Sequence, residues 1–277
     1  MTEVWRCAVL GQPVGHSLSP LIHTRAYEVL GIADRWHYGR HEVGVADLPA
    51  FVAGCGPEWV GLSCTAPLKS AVLGLGEASE IARRLDAGNT FLFGTPARVE
   101  NTDVTGLVGA FARAGITRAR TALLLGNGAT ARSALYALST MGLTEALVLA
   151  RSRERAEASL GALAGSLGVR LEHGAWGSVP DATADVLVST VSAPLPPAVA
   201  AGLVAGVGAS FDVTYNHYPI HLDQAARAAG IVQLSGLDLL VGQALDQIRL
   251  MTGLDCPAEP LLAAALDALN RTTPEGA

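Results

Sequence analysis

The chain predicts an α/β protein of two domains, and three observations carry that expectation. Its 277 residues exceed what one hydrophobic core usually serves. Strand and helix patterns alternate from the N-terminus onward. At residue 121 the alternation restarts, with a buried strand running into a glycine turn and an alanine-rich helix. Half of the residues are hydrophobic and 16% are charged, enough apolar material for two cores.

In chain order, "VWRCAVLG" reads as a strand and "PLIHTRAYEVLG" as a helix with Gly31 at its C-terminal cap. "WHYGRHEV" is a second strand and "WVGLSCT" a third. "PLKSAVLGL" predicts a helix opened by Pro67, "ASEIARRL" another, and "NTFLFG" with "RVENTD" a short hairpin closing the first domain near Asp103. The second domain begins with "TALLLGNGATARSALYALSTMG" and the strand "EALVLA". Further strands are predicted at "LEHGAW", "DVLVST" and "ASFDVTY", with helices at "RERAEASLGALAGSLG" and "HLDQAARAAG", a doubly wound pattern. The helices "LDLLVGQALDQIRLMTG" and "PAEPLLAAALDALN" follow it, and the tail "RTTPEGA" is predicted to fray. The expected division is 1–103 with 240–277 as one domain and 104–239 as the other, with a cleft between them.

Composition removes several function classes. A net charge of −6 without a Lys/Arg run argues against nucleic acid or an anionic membrane surface as partner. Cys7, Cys55, Cys64 and Cys256 form no C-x-x-C pair, which suggests reduced thiols rather than a zinc site or disulfide framework. His16, His23, His217 and His221 lack metal spacing, so no metal is assigned. The apolar run in "MTEVWRCAVLGQP" is too short for a leader or a membrane span, which places the protein in the cytoplasm. The expected partner is a small molecule.

Two stretches carry the clearest chemistry. In "LLLGNGATA", Gly126, Gly128 and Ala131 form G-x-G-x-x-A between a strand and a helix, with Asn127, Ala129 and Thr130 between them; such a loop lets a pyrophosphate approach the backbone and the positive end of the helix. The alternative is a glycine turn used only for packing. The next strand ends in Ala150, Arg151, Ser152 and Arg153, where an NAD-binding fold presents an acid, so the cations point to the 2'-phosphate of NADP. Arginines on a solvated helix start are the other reading.

Four further places stay open on residues alone. In "GHSLSPLIH", Ser19 is placed to cap the helix that Pro20 opens, and Ser17 and Ser19 together would seat a small carboxylate or phosphate. Lys69 falls in the predicted first turn after Pro67, electrostatically unfavourable for a cation, and is either exposed or a proton carrier facing a cleft. Asp103 either caps the next helix or partners Lys69. Gln243, in an otherwise apolar helix, lies on a solvated edge or reaches a ligand, and Tyr215 either packs or faces a ligand at a strand's carboxyl end.

Taken together, these segments resemble the shikimate dehydrogenase family, in order, over nearly the whole chain. "GQPVGHSLSPLIH" is similar to its G-x-P-x-x-H-S-x-S-P-x-x-H, "SCTAPLK" to N-V-T-x-P-x-K, "AGNT" to A-V-N-T and "NTDVTG" to N-T-D-G-x-G. "GNGATAR" is similar to G-A-G-G-A-A-R, "ARS" to N-R-T, "DVTYNHYP" to D-x-x-Y-x-P and "GLDLLVGQA" to G-x-x-M-L-x-x-Q. The resemblance implies an N-terminal substrate domain, a Rossmann-type NADP-binding domain, and reversible NADP-dependent reduction of 3-dehydroshikimate to shikimate by a monomer or homodimer. It implies that Ser17, Ser19 and Tyr215 hold the substrate carboxylate, that Thr65, Asn89 and Gln243 surround the ring hydroxyls with Lys69 and Asp103, and that this last pair moves the proton. Thr190 and Gly236 join the cofactor residues. Ser63 replaces the motif's asparagine, Val104 and Asp238 replace glycines, and Leu239 replaces methionine. A quinate or amino-sugar-acid relative is one alternative, and a non-catalytic NADP-binding protein is another.

Overall fold

The computed structural model describes residues 4–191, 195–215 and 221–272. They form two compact units: Met1–Gly106 with Leu240–Ala277, and Leu107–Leu239. The first unit is therefore written in two pieces, separated in sequence by the whole of the second.

The first unit opens with β1 (Trp5–Gly11), α1 (Ser19–Val29), β2 (Trp36–Glu42), α2 (Leu48–Ala53) and β3 (Trp59–Cys64). A 3-10 turn at Ala71–Leu75 leads to β4 (Glu77–Ala78), α3 (Glu80–Leu85), β5 (Thr90–Leu92), β6 (Arg98–Glu100) and α4 (Asp103–Arg113). The sheet order is β2-β1-β3-β5-β6-β4. β1 pairs in parallel with β2 and β3, whereas β5 is antiparallel to both β3 and β6, the hairpin the sequence predicts. Ala8, Leu10, Leu62, Cys64 and Phe91 form the core on one side; Cys7, Val9, Tyr27 and Tyr38 form another, as period-two alternation along β1 requires.

The helix predicted from Pro67 does not form. Lys69's carbonyl is drawn to Gly88 N at 2.7 Å, outside the segment, which turns until a 3-10 stretch begins at Ala71. Ser19 does not cap α1 either. Ser17 Oγ accepts from Ser19 N at 3.2 Å, so the first free donor of the helix is taken two residues earlier than expected.

The second unit runs β7 (Thr121–Leu125), α5 (Ala129–Thr140), β8 (Glu145–Ala150), α6 (Arg153–Ala156), a π-helical stretch at Glu157–Gly161, α7 (Ala162–Ser166), β9 (Arg170–Ala175) and β10 (Ala184–Ser189). It continues with α8 (Pro197–Ala205), β11 (Val207–Asp212), α9 (His221–Ala229) and β12 (Val232–Leu234). All its pairings are parallel in the order β12-β11-β10-β7-β8-β9, the doubly wound arrangement whose order reverses beside β7. Its core gathers Leu123, Leu125, Leu149, Leu187, Leu203 and Leu222. Then α10 (Gly236–Thr252) and α11 (Glu259–Thr272) follow, and α11 lies against α1. The tail predicted to fray reaches Thr272 as helix, and its remainder lies outside the described residues. No helix among the described residues is long and apolar enough to cross a membrane, and no three potential metal ligands converge. The four cysteines are free.

Asp223 on α9 is buried, and desolvation, followed by the charge of Asp212, pushes its carboxyl up to about 7. Arg227 acts in the opposite sense and Asp238 adds to the rise. The folded chain thus keeps this proton to near neutrality, while the unfolded chain releases it near 3.8, so stability falls as pH rises through that window. Asp223→Asn is expected to raise the melting temperature by about 3 °C or more at pH 8 and to change it far less at pH 4. Equal shifts at both pH values in a calorimetric scan would remove the ionisation as the cause.

Candidate active site

In the first unit the segment after β3, the residue before β5 and the start of α4 bring three of the sequence-predicted residues together: Lys69, Asn89 and Asp103. Asn101 Oδ1 accepts from the N–H groups of Asp103 (3.1 Å) and Val104 (3.4 Å), so Asn101 caps α4. Asp103 is left free of capping. Its Oδ2 lies 2.5 Å from Lys69 Nζ and its Oδ1 accepts from Asn89 Nδ2 at 2.9 Å. Both side chains are largely withdrawn from water, Lys69 at 21% exposure and Asp103 at 8%. A cation and an anion held this way, with a third group fixing the carboxylate, form a unit able to pass a proton.

Gln243 comes from α10, where Gly242 and Gly106 of α4 meet backbone to backbone. A Cβ on Gly106 would stand 2.5 Å from Gln243 N, and one on Gly242 would stand 2.6 Å from Gly106 O. That approach takes Gln243 off the solvated edge: it is buried, donates to Leu240 O at 2.8 Å, and its Oε1 lies 3.4 Å from Asn89 Nδ2. Thr65 is fastened through its N–H to Leu10 O at 2.9 Å, beside Gly11, where any Cβ would meet Thr65 Cγ2 at 2.5 Å. Ser17 and Ser19 are both buried, and their hydroxyls lie 3.2 Å apart. Arg40, which the sequence did not single out, donates to the carbonyls of Gly15 and Ser17 and so sets this loop. His23 is fully buried, stacks on Tyr38 at 3.8 Å, and burial drives its imidazole down to about 3, so it is neutral.

In the second unit the strand-to-helix turn after β7 opens on a cavity of about 690 Å³ lined by Gly126, Asn127, Gly128, Ala150, Arg151 and Ser152, together with Arg155, Trp176, Thr190 and Val191. Gly126 has φ of +98°, and a Cβ there would meet Thr190 Oγ1 at 2.6 Å, so only glycine serves. Around Gly128 a Cβ would find open space, and no side chain caps the N-terminus of α5, which leaves its N–H groups to a ligand. Ala150 stands where an acid would bind a ribose hydroxyl, and Arg151 and Arg155 line the same cavity. The donor set fits a dinucleotide with a phosphate on its ribose.

Ser152 lines the cavity and also caps α6 by accepting from Arg155 N at 3.2 Å. Ala129, Thr130, Ala131, Arg153 and Gly236 are not among the lining residues; Ala131 is fully buried, and a Cβ on Gly236 would meet Val213 O at 2.5 Å. Tyr215 is half-buried, and burial raises its hydroxyl above the ordinary range. Of the segment "DVTYNHYP", only Asp212 to Tyr215 falls within the described residues. Arg155 carries no sequence signal of its own, because Arg151 lies ahead of the Ser152 cap and the two arginines share no helix face. Trp176 and Val191 gave none.

Residues 9–91 match the family model described as the shikimate dehydrogenase substrate binding domain. The NADP(+)-dependent shikimate dehydrogenase of Methanothrix thermoacetophila is 34% identical over 274 residues, covering 95% of this chain and 97% of that protein. Shikimate dehydrogenase from Mycobacterium tuberculosis superposes with a TM-score of 0.82 at 38% identity, over 95% of this chain and 99% of that one. Shikimate 5-dehydrogenase from Thermus thermophilus, solved with NADP(H) and shikimate, gives 0.82 at 32% identity, over 96% of this chain and 100% of that one. Likeness of this order across nearly the full length of both chains in each comparison shows that this chain belongs to the shikimate dehydrogenase family.

Proposed function

We propose that the chain is an NADP-dependent shikimate dehydrogenase, which interconverts 3-dehydroshikimate and shikimate in aromatic amino-acid biosynthesis. The observation that carries this reading is the Lys69–Asp103 pair, joined at 2.5 Å and fixed by Asn89. Oxidation of a carbinol requires its hydroxyl proton to leave as the hydride leaves its carbon; Lys69 Nζ, as the neutral amine, takes that proton, and the ammonium so formed returns it in reduction. Asp103 keeps the ammonium in place and accepts from the substrate. Bound NADP supplies the hydride acceptor, or as NADPH the donor.

Ser17 and Ser19, with Tyr215, hold the ring carboxylate, and Thr65, Asn89 and Gln243 hold its hydroxyls. Residues Gly126 to Ala131 receive the pyrophosphate; Arg151, Ser152 and Arg153, joined by Arg155, receive the 2'-phosphate, and Thr190 and Gly236 complete the cofactor contacts. The unit Met1–Gly106 with Leu240–Ala277 is thus the substrate domain and Leu107–Leu239 the dinucleotide domain. The enzyme is cytoplasmic, a monomer or homodimer, a placement that its acidic charge and free thiols support.

The test follows the reduced-nicotinamide absorbance of purified protein with shikimate or quinate and NADP+ or NAD+. Turnover of shikimate with NADP+ is the expected result; turnover of quinate with NAD+ alone would select the quinate reading, and silence in all four would withdraw the dehydrogenase assignment. Arg151→Ala is expected to raise KM for NADP+ about tenfold and KM for NAD+ less than twofold, because only the former carries the second phosphate. Equal losses would take Arg151 off that phosphate.

A further inference from the structure

Ser63, the departure from the motif's asparagine, lies on a buried line of directed hydrogen bonds that ends at the proton-handling pair. Tyr38 Oη donates to Ser63 Oγ at 2.5 Å, and Ser63 Oγ donates to Gln247 Oε1 at 2.8 Å. Gln247, fully buried on α10, donates from Nε2 to Asn89 O at 3.1 Å and to Thr90 Oγ1 at 2.9 Å. Thr90 Oγ1 donates to Asn89 Oδ1 at 3.0 Å, and Thr102 N donates to the same oxygen at 2.8 Å. Asn89 Nδ2 is then the atom left to face Asp103.

The direction of this line matters. Ser63 gives its one proton to Gln247, so the amide oxygen of Gln247 must face Ser63 and its nitrogen must face Asn89. Reversed, the Gln247 oxygen would stand against the Asn89 carbonyl, two acceptors without a proton, at a cost no buried site tolerates cheaply. With its one proton given to Gln247, Ser63 has no donor left for a substrate.

We propose that Gln247 is a positioning residue for the dehydrogenase reaction: through Thr90 and Asn89 it fixes the donor that holds Asp103 against Lys69, and Ser63 anchors it. This inference rests on the functional reading above. Gln247 touches neither reacting atoms nor cofactor loop, so its removal acts on the chemical step rather than on binding.

The experiment compares the parent, Gln247→Met, Thr90→Val, Ser63→Ala and the double variant Ser63→Ala/Gln247→Met, each by thermal melting and by kcat, KM and the pH profile of kcat. Gln247→Met is expected to lower kcat about tenfold or more, with KM for NADP+ within twofold of the parent and a displaced pH profile, well below its melting temperature. Thr90→Val, which removes only the hydroxyl between Gln247 and Asn89, gives the same signature and decides the matter if Gln247→Met does not fold. The double variant is expected to be no slower than Gln247→Met, since both changes break one line. A lower melting temperature with kcat and its pH profile unchanged, or losses that multiply in the double variant, would overturn the proposal. An inactive parent would instead overturn the functional reading itself.

Discussion

Lys69→Ala lowers kcat by about three orders of magnitude while leaving NADP+ binding within twofold of the parent, if Lys69 is the proton carrier. The size follows from the chemistry, because a positioned acid or base contributes about 10²–10⁴ to such a step. The selectivity follows from the structure. The glycine-loop cavity is lined wholly by residues of the second unit, whereas Lys69 belongs to the first. The variant folds, because Asp103 keeps its bond from Asn89 and sits in the first turn of α4, where the helix dipole favours a negative charge. Single-turnover kinetics with NADP+ titrated by tryptophan fluorescence would check both halves. Turnover within tenfold of the parent would assign the proton to another group.

Gly106→Val carries the largest expected loss of stability, about 3 kcal/mol or more. At Gly106 an added Cβ would stand 2.5 Å from the backbone nitrogen of Gln243 and 2.9 Å from its Cα, and backbone cannot swing aside as a side-chain tip can. The helices α4 and α10 must part, and Gln243 moves away from Asn89 as they do, so activity falls with stability. Gly109, one turn further along α4, is the control. Its added Cβ would meet only the tip of Arg113 at 3.4 Å, so Gly109→Ala is neutral or stabilises by about 0.5–1 kcal/mol through helix propensity. Urea midpoints for the two variants should move in opposite directions or, at the least, differ by well over 1 M.

The strands were legible wherever apolar residues run or alternate without interruption, as at Trp5–Gly11 and Thr121–Leu125. The loop at Gly126 was legible because its glycines have one steric purpose. What escaped the sequence was decided at a distance. Lys69 reads as helical until Gly88, far along the chain, claims its carbonyl. Ser19 reads as a cap until Ser17 is seen to hold its N–H. The short helix α2 and the evenly apolar α8 present no helical stripe, and β12 has three residues. At the site, Lys69 and Asp103 were visible as alternatives, and only the cap supplied by Asn101 shows why Asp103 is free for the lysine. Gln247 reads as one polar residue among core positions, since nothing in the sequence joins it to Ser63, 184 residues earlier.

The two-piece first unit shapes how the chain matures during its own synthesis. A ribosome completes all of Leu107–Leu239 before it finishes α10 and makes α11, so the parallel sheet can close while β3 and β5 still lack Gln247 and α1 lacks α11. At about 5–20 residues per second, that wait lasts on the order of ten seconds. The unit that stands first in the sequence is the last to mature, and for that interval its unfinished surface is the part of the nascent chain that a chaperone meets.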